Sequence, residues 1–260
     1  MEARHRFNLH NQNALTTVGE TPKQATISLL AVSGNLEGKS TEGFERNKRL
    51  CTVMINALNQ FIKGNIGRYE DDYNPRAFGD RISEWGTPVI LIETGALFGK
   101  DEMFLVKLNF IAYLTALQAL VDGSEKKADP KVYESLPFNG EGLYNAIFRN
   151  ANIINPSQSV EPFKADIAAN AERRRANQET PMFVREVGDL TIFKGLEIYD
   201  VKDYYLIAKS NLVRIGTPVH FLFYRKDKAN KVDWKAEDLE TKFPPDAVYK
   251  DGKWLKSLRK

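Results

Sequence analysis

The sequence predicts an α/β layer followed by a small β-rich domain, and three observations carry that prediction. Residues 89–92, Val89-Ile90-Leu91-Ile92, form an apolar, mostly β-branched run that a carboxylate, Glu93, and a glycine, Gly95, bring to an end. A continuous run of this kind reads as a strand buried on both faces, as inside an α/β sheet. Two segments, around residues 50–62 and 101–121, carry helical patterns on either side of it. Beyond Gly123 the pattern changes to short alternating and aromatic segments, the signature of antiparallel strands.

Taken in order, Phe7-Asn8-Leu9 is a short strand that begins almost at the first residue, and a polar, irregular stretch follows to Gln24. Residues 25–31 read as a second strand. A glycine-containing loop, 32–39, leads to Ser40 or Thr41, either of which can cap a helix. Leu50, Val53, Met54, Ala57, Leu58, Phe61 and Ile62 recur at i, i+3, i+4 and i+7, so that helix is amphipathic, and Gly64 stops it. Turn residues dominate 67–86, and the strand at 89–94 follows. The next helix starts at Asp101 and Glu102, which favour its positive amino end, and runs to Gly123. Its circumference is largely apolar, which predicts a buried helix. Residues 126–150 read as a linker between a domain at 1–125 and a β-rich domain at 151–260. Strands are expected at 183–187, 190–193, 204–208 and 219–224, and Asp251-Gly252 marks a tight hairpin.

Composition narrows the function. The 260 residues are 42% hydrophobic with a net charge of +3, acids and bases interspersed. That balance argues against a nucleic-acid footprint. The densest basic run, Arg173-Arg174-Arg175, is flanked by Glu172 and Glu179 and reads as a solvated face. No apolar run reaches the length of a membrane span, and the first residues lack a signal peptide's apolar region. A single cysteine, Cys51, rules out an internal disulfide and a cysteine-rich metal site, and its helical context makes it a core residue.

Two constellations could carry chemistry. Gly38-Lys39-Ser40, between a strand and a helix, is the ending of a phosphate-binding loop, although Ser33 stands where that pattern opens on glycine and Glu37 adds a negative charge. The plainer reading is a turn and a capped helix. The other constellation is His10 with Glu93, each at a strand end. Strand ends of one sheet can converge, and zinc takes imidazole and carboxylate ligands.

Four segments in order carry a resemblance. They are Phe7-Asn8-Leu9-His10-Asn11-Gln12, Ala25-Thr26-Ile27-Ser28-Leu29-Leu30-Ala31, Tyr73-Asn74-Pro75-Arg76-Ala77-Phe78-Gly79-Asp80, and Trp85-Gly86-Thr87-Pro88-Val89-Ile90-Leu91-Ile92-Glu93-Thr94-Gly95. Together they resemble the C-terminal half of a bacterial zinc carboxypeptidase of the carboxypeptidase A-like metallopeptidase family. The resemblance covers roughly residues 5–122. It implies a partial mixed sheet flanked by helices, followed by a sandwich-like β domain. It implies zinc as cofactor and a peptide with a free C-terminus as substrate. His10 becomes a zinc ligand and Glu93 the general base and acid. Tyr73, with Tyr69 competing, becomes the substrate-binding tyrosine, and Asp80 lines the specificity pocket.

The family's other two ligands come from an upstream His-x-x-Glu motif that this chain lacks: His5 and His220 are not followed by one, and Glu2-Ala3-Arg4-His5 reads in reverse. The chain is therefore expected to be N-terminally truncated and incomplete as a catalyst, and periplasmic or secreted if a missing N-terminus carries a signal peptide. A non-catalytic scaffold of the same fold and a nucleotide binder are the alternatives. Trp234 and Trp254 raise a carbohydrate- or wall-binding role for the β-rich domain, against the simpler reading of aromatic core.

Overall fold

A computed structural model describes residues 5–70, 72–172 and 180–258. The basic run at 173–175 and the residues Glu2, Ala3 and Arg4 lie outside the described residues. The chain divides into two compact units, Met1–Gly142 and Leu143–Lys260.

The first unit contains β1 (Arg6–Asn11), β2 (Thr17–Val18), β3 (Ile27–Ala31), α1 (Glu42–Ile62), β4 (Ile66–Arg68), α2 (Phe78–Glu84), β5 (Val89–Thr94), α3 (Glu102–Asp122), α4 (Lys131–Glu134) and β6 (Asn139–Gly140). Four strands form a mixed sheet in the order β1-β5-β3-β4. β1 runs parallel to β5, β3 antiparallel to β5, and β4 parallel to β3. Side chains alternate across a strand. Ile27, Leu29 and Ala31 of β3 therefore share a face with Ile90 and Ile92 of β5, and on that face lie α1 and α3, whose Leu50, Met54, Leu58, Leu108 and Ala112 complete the core.

α1 starts where the sequence places it. The Thr41 hydroxyl accepts the Phe44 amide at 3.1 Å, satisfying one of the helix's orphan donors. Cys51 is fully buried, and burial raises its thiol pKa so far that the group is an inert hydrophobe. α3 is capped by Asp101 and stopped by Gly123 in the left-handed region. The expectation that α3 is largely buried does not hold. Leu108, Ala112, Ala116 and Ala119 are its buried positions, while Met103, Val106, Phe110, Leu114, Leu117 and Val121 are exposed. By length and composition alone α3 could cross a membrane, although its small residues pack here against α1.

Residues 126–150, expected as a linker, are folded. Ser124–Lys127 is a 3₁₀ turn, α4 packs on α1, and β6 pairs with β2. Tyr133 of α4 is fully buried. Its hydroxyl accepts the Ala31 amide at 2.9 Å, and burial pushes its pKa up to about 12. The boundary between units falls at Gly142, and Leu143 already opens a strand of the second unit.

The second unit contains β7 (Leu143–Asn155), β8 (Ser159–Ala171), β9 (Met182–Gly188), β10 (Lys194–Asp200), β11 (Tyr204–Ala208), β12 (His220–Arg225), α5 (Leu239–Lys242), β13 (Ala247–Lys250) and β14 (Lys253–Lys256). The order is β14-β13-β12-β11-β7-β8-β9, with β10 on β7. The unit is β-rich as expected, its strands joined in one eight-stranded hydrogen-bonded sheet. Val184 of β9 bonds both Thr217 and Gly216, and Val219 donates to Met182, so β9 meets the chain entering β12. Inside, Phe148 touches the rings of Tyr199, Phe221, Phe223, Tyr249 and Trp254. Trp234 packs edge-on against Tyr205 and Tyr224. Both tryptophans thus sit in aromatic clusters, as the core reading requires. The hairpin at Asp251-Gly252 forms, both residues at positive φ. Residues 190–193, expected as a strand, form a turn closed by Phe193 N–H to the Leu190 carbonyl at 2.9 Å.

Candidate functional site

The carboxyl ends of β1 and β5 lie side by side because the two strands are parallel. The ladder sets His10 opposite Glu93, and Glu93 opposite Ser28 on β3, which in turn faces Gly67 on β4. A polar row of His10, Glu93 and Ser28 therefore crosses three strands on the face away from α1 and α3, and Gly67 ends it on β4. His10 Nδ1 lies 3.4 Å from Glu93 Oε1, with the His10 side chain 56% exposed and that of Glu93 only 6%. A carboxylate withdrawn from water this far needs charged or hydrogen-bonding neighbours, and His10 is one.

Beside this pair lies a closed ring of hydrogen bonds. Gln12 Nε2 donates to the Ala25 carbonyl at 2.7 Å and to Ser28 Oγ at 3.0 Å. Ser28 Oγ donates to Asn139 Oδ1 at 2.7 Å, and Asn139 Nδ2 returns to Gln12 Oε1 at 2.8 Å. Two glycines leave space for it. A Cβ on Gly67 would stand 2.4 Å from Asn139 Oδ1, and one on Gly95 would stand 2.4 Å from the Ala25 carbonyl oxygen. Gln12, Tyr69, Glu93, Asn139 and Glu141 line a cavity of about 310 Å³ over this end of the sheet.

An adjoining cavity of about 170 Å³ shares Tyr69 and is lined by Arg68, Tyr73 and Asp80. Tyr73 and Asp80 thus fall together in this second recess, which Leu30, Ala31, Val32 and Ser33 also line, toward the amino end of β5 and away from Glu93. Asp80 is in the first turn of α2. The Tyr73 hydroxyl donates to Glu84 Oε2 at 2.9 Å, a bond that raises its pKa. Tyr69, the competing tyrosine, borders both cavities. Arg68 stacks over the rings of Tyr133 and Phe138, 4.9 and 4.6 Å from their centroids.

The chain matches no model of a known protein family, no curated protein and no solved structure.

The phosphate-loop candidate is filled by its own residues. The Lys39 amide donates to Asn35 Oδ1 at 2.7 Å, and Asn35 Nδ2 donates back to the Lys39 carbonyl. Lys39 pairs with Glu37, and Ser40 donates to Glu45 at 2.8 Å. Because β3 is antiparallel to β5, Ala31 faces Ile90 while Ser28 faces Glu93. The loop after Ala31 therefore leaves the sheet at the end opposite Glu93.

Reading the sequence missed Ser28, Asn139 and Arg68. Ser28 and Asn139 are 111 residues apart, and no local pattern links them. Asn139 lay in a segment read as linker. Among the described residues, no three metal-ligating side chains converge, so the described chain offers His10 as a single imidazole beside one carboxylate.

Proposed function

We propose that this chain carries one part of a zinc carboxypeptidase-like site, for hydrolysis of a C-terminal peptide or amide bond in a peptide with a free C-terminus. The observation that carries the reading is the pairing of His10 and Glu93 on one face, at the carboxyl ends of two parallel strands, beside a polar cavity. Ligands gather at that edge of an α/β sheet. The ordered resemblance of four segments supports the same residues.

His10 would serve as one ligand; the described residues bring no second and third ligand to it. Zinc, when bound, supplies Lewis acidity at the reacting carbonyl and water. Glu93 holds and moves the proton: its carboxylate accepts one and returns it to the leaving amine. Its burial beside a single imidazole suits that exchange, because few solvent dipoles compete for the charge.

Zinc titration by calorimetry tests the assignment. The chain alone is expected to bind zinc weakly, with the heat abolished in His10→Ala and kept in His220→Ala. Zinc binding that is indifferent to His10→Ala would overturn the reading and leave a scaffold that folds without catalysing.

A further inference from the structure

Two features of the first unit stop at the same place, an apolar helix side and an open strand edge. On α3, Met103, Val106, Phe110, Leu114, Leu117 and Val121 are between 49% and 89% exposed. At 3.6 residues per turn these positions fall within about 80° of one another, in a stripe about 27 Å long. An apolar patch of this extent marks an interaction surface. Tyr113 meets Phe7 of β1 with ring centroids 5.0 Å apart, and Asn109 Nδ2 donates to Thr94 Oγ1 of β5 at 3.1 Å. α3 therefore lies over β1 and β5, and the stripe faces outward past β1. β1 is the edge strand of its sheet, and Leu9 on it is 52% exposed.

The backbone of β1 shows how that edge can be extended. The Arg6 amide donates to the Pro88 carbonyl at 2.9 Å, and the Gln12 amide to the Thr94 carbonyl at 3.0 Å. Successive residues of a strand turn opposite ways, so the even-numbered residues bond β5 while Phe7, Leu9 and Asn11 present their backbone groups to the open edge. A second β1 laid antiparallel, with Phe7 opposite Leu9 and Asn8 opposite Asn8, bonds those groups. It also keeps Phe7 and Leu9, partners of Ile90 and Ile92 in the ladder, on the helix face.

We propose that this seam is the interface of a two-fold dimer, in which β1 pairs with β1 of a second copy and α3 packs antiparallel on its α3. A two-fold interface must be complementary to itself, and the two layers meet that condition about one axis. The stripe runs from Met103 to Val121, so its middle is Ala112; Tyr113 beside it touches Phe7, which is beside Asn8. An axis through Asn8, perpendicular to the sheet, thus passes the middle of both layers. The spacing agrees as well. Strands stand about 4.8 Å apart, and α3 lies over the gap between β1 and β5, which puts the two α3 helices about 10 Å apart, the distance of packed helices. Six large apolar side chains, each about half exposed or more, offer on the order of 600–700 Å² to a partner. The strand edge raises this to roughly the 800 Å² per copy of a stable complex. Charge is matched too. Arg6 of the second copy comes opposite His10, on the face that carries the nearly buried Glu93 carboxylate.

Sedimentation and a cysteine cross-link test the proposal on the 260-residue chain. The chain is expected to sediment as a dimer at micromolar concentration. Phe110→Glu with Leu114→Glu, both at exposed positions, should raise the dissociation constant at least about a hundredfold. At the axis, Asn8 faces its own copy with Cα atoms about 4.5 Å apart, within disulfide reach. Asn8→Cys should therefore give a covalent dimer with oxidised glutathione, whereas Asn11→Cys, whose copies stand about 20 Å apart in this register, should not. Cys51 is buried and does not compete. A chain that stays monomeric at about 100 μM overturns the proposal. So does a dimer that Asn8→Cys fails to cross-link or that Asn11→Cys cross-links equally well. A monomer that floats with phosphatidylcholine vesicles, and is released by Phe110→Glu with Leu114→Glu, overturns it too and assigns the stripe to lipid.

Discussion

Asn139→Ala breaks the ring that ties the polypeptide after α4 to the sheet beneath Glu93. The substitution removes the acceptor of the Ser28 hydroxyl and the donor to the Gln12 carbonyl. Ser28 is fully buried, so its hydroxyl cannot turn to water, and stranding such a group costs about 1–3 kcal/mol. Gln12 is half-buried and can rehydrate. The expected loss is therefore about 2–3 kcal/mol. Ser28→Ala leaves no stranded donor in the core, and Gln12 Nε2 keeps the Ala25 carbonyl, so that change costs about 1 kcal/mol. With Ser28 already gone, Asn139→Ala has less to strand, and the two changes should couple by about 1–2 kcal/mol. Urea unfolding followed by the helical far-ultraviolet signal measures this, because α1 and α3, the long helices, both belong to the first unit. A cost for Asn139→Ala below about 0.5 kcal/mol, or strict additivity with Ser28→Ala, would refute the reasoning.

Two further outcomes follow from buried charge. The pKa of His5 is lowered from 6.5 to about 4, first by burial and then by Arg46. The unfolded chain therefore takes up a proton first, and the stability present above pH 6.5 is lost as pH falls toward about 4. Partial exposure holds the effect to the order of 1–2 kcal/mol, and an acid-unfolding profile that stays unchanged in His5→Phe would count against it. Glu125 is almost fully buried and pairs with Arg46 at 3.3 Å. Arg46→Ala should cost about 3–5 kcal/mol in denaturant unfolding, and adding Glu125→Gln should recover part of that loss; no recovery would mean that the carboxylate does not feel Arg46.

The elements legible in the sequence are those whose signal is local. β5 announced itself as an apolar run, α1 by its period and the Thr41 cap, and the last hairpin by Asp251-Gly252. In each case a few neighbouring residues set the backbone geometry. β7 and β8 gave no such signal. They carry asparagines, alanines and charges, and their strand form comes from pairing with each other. Residues 190–193 carry the opposite lesson: Thr191 and Ile192 favour strands, but Asp189 Oδ1 accepts the Thr191 amide at 3.0 Å and holds a turn.

His10 and Glu93 could be named from the sequence as strand-end residues, since each followed an extended run. That they are ladder neighbours was decided by the parallel pairing of β1 and β5, a contact between distant segments. Distance in sequence also hid Asn139, because a hydrogen bond closes on geometry and not on spacing. The same reason accounts for α3. An apolar circumference states what a helix can bury, whereas what it does bury depends on which neighbours arrive, and here they leave one side open.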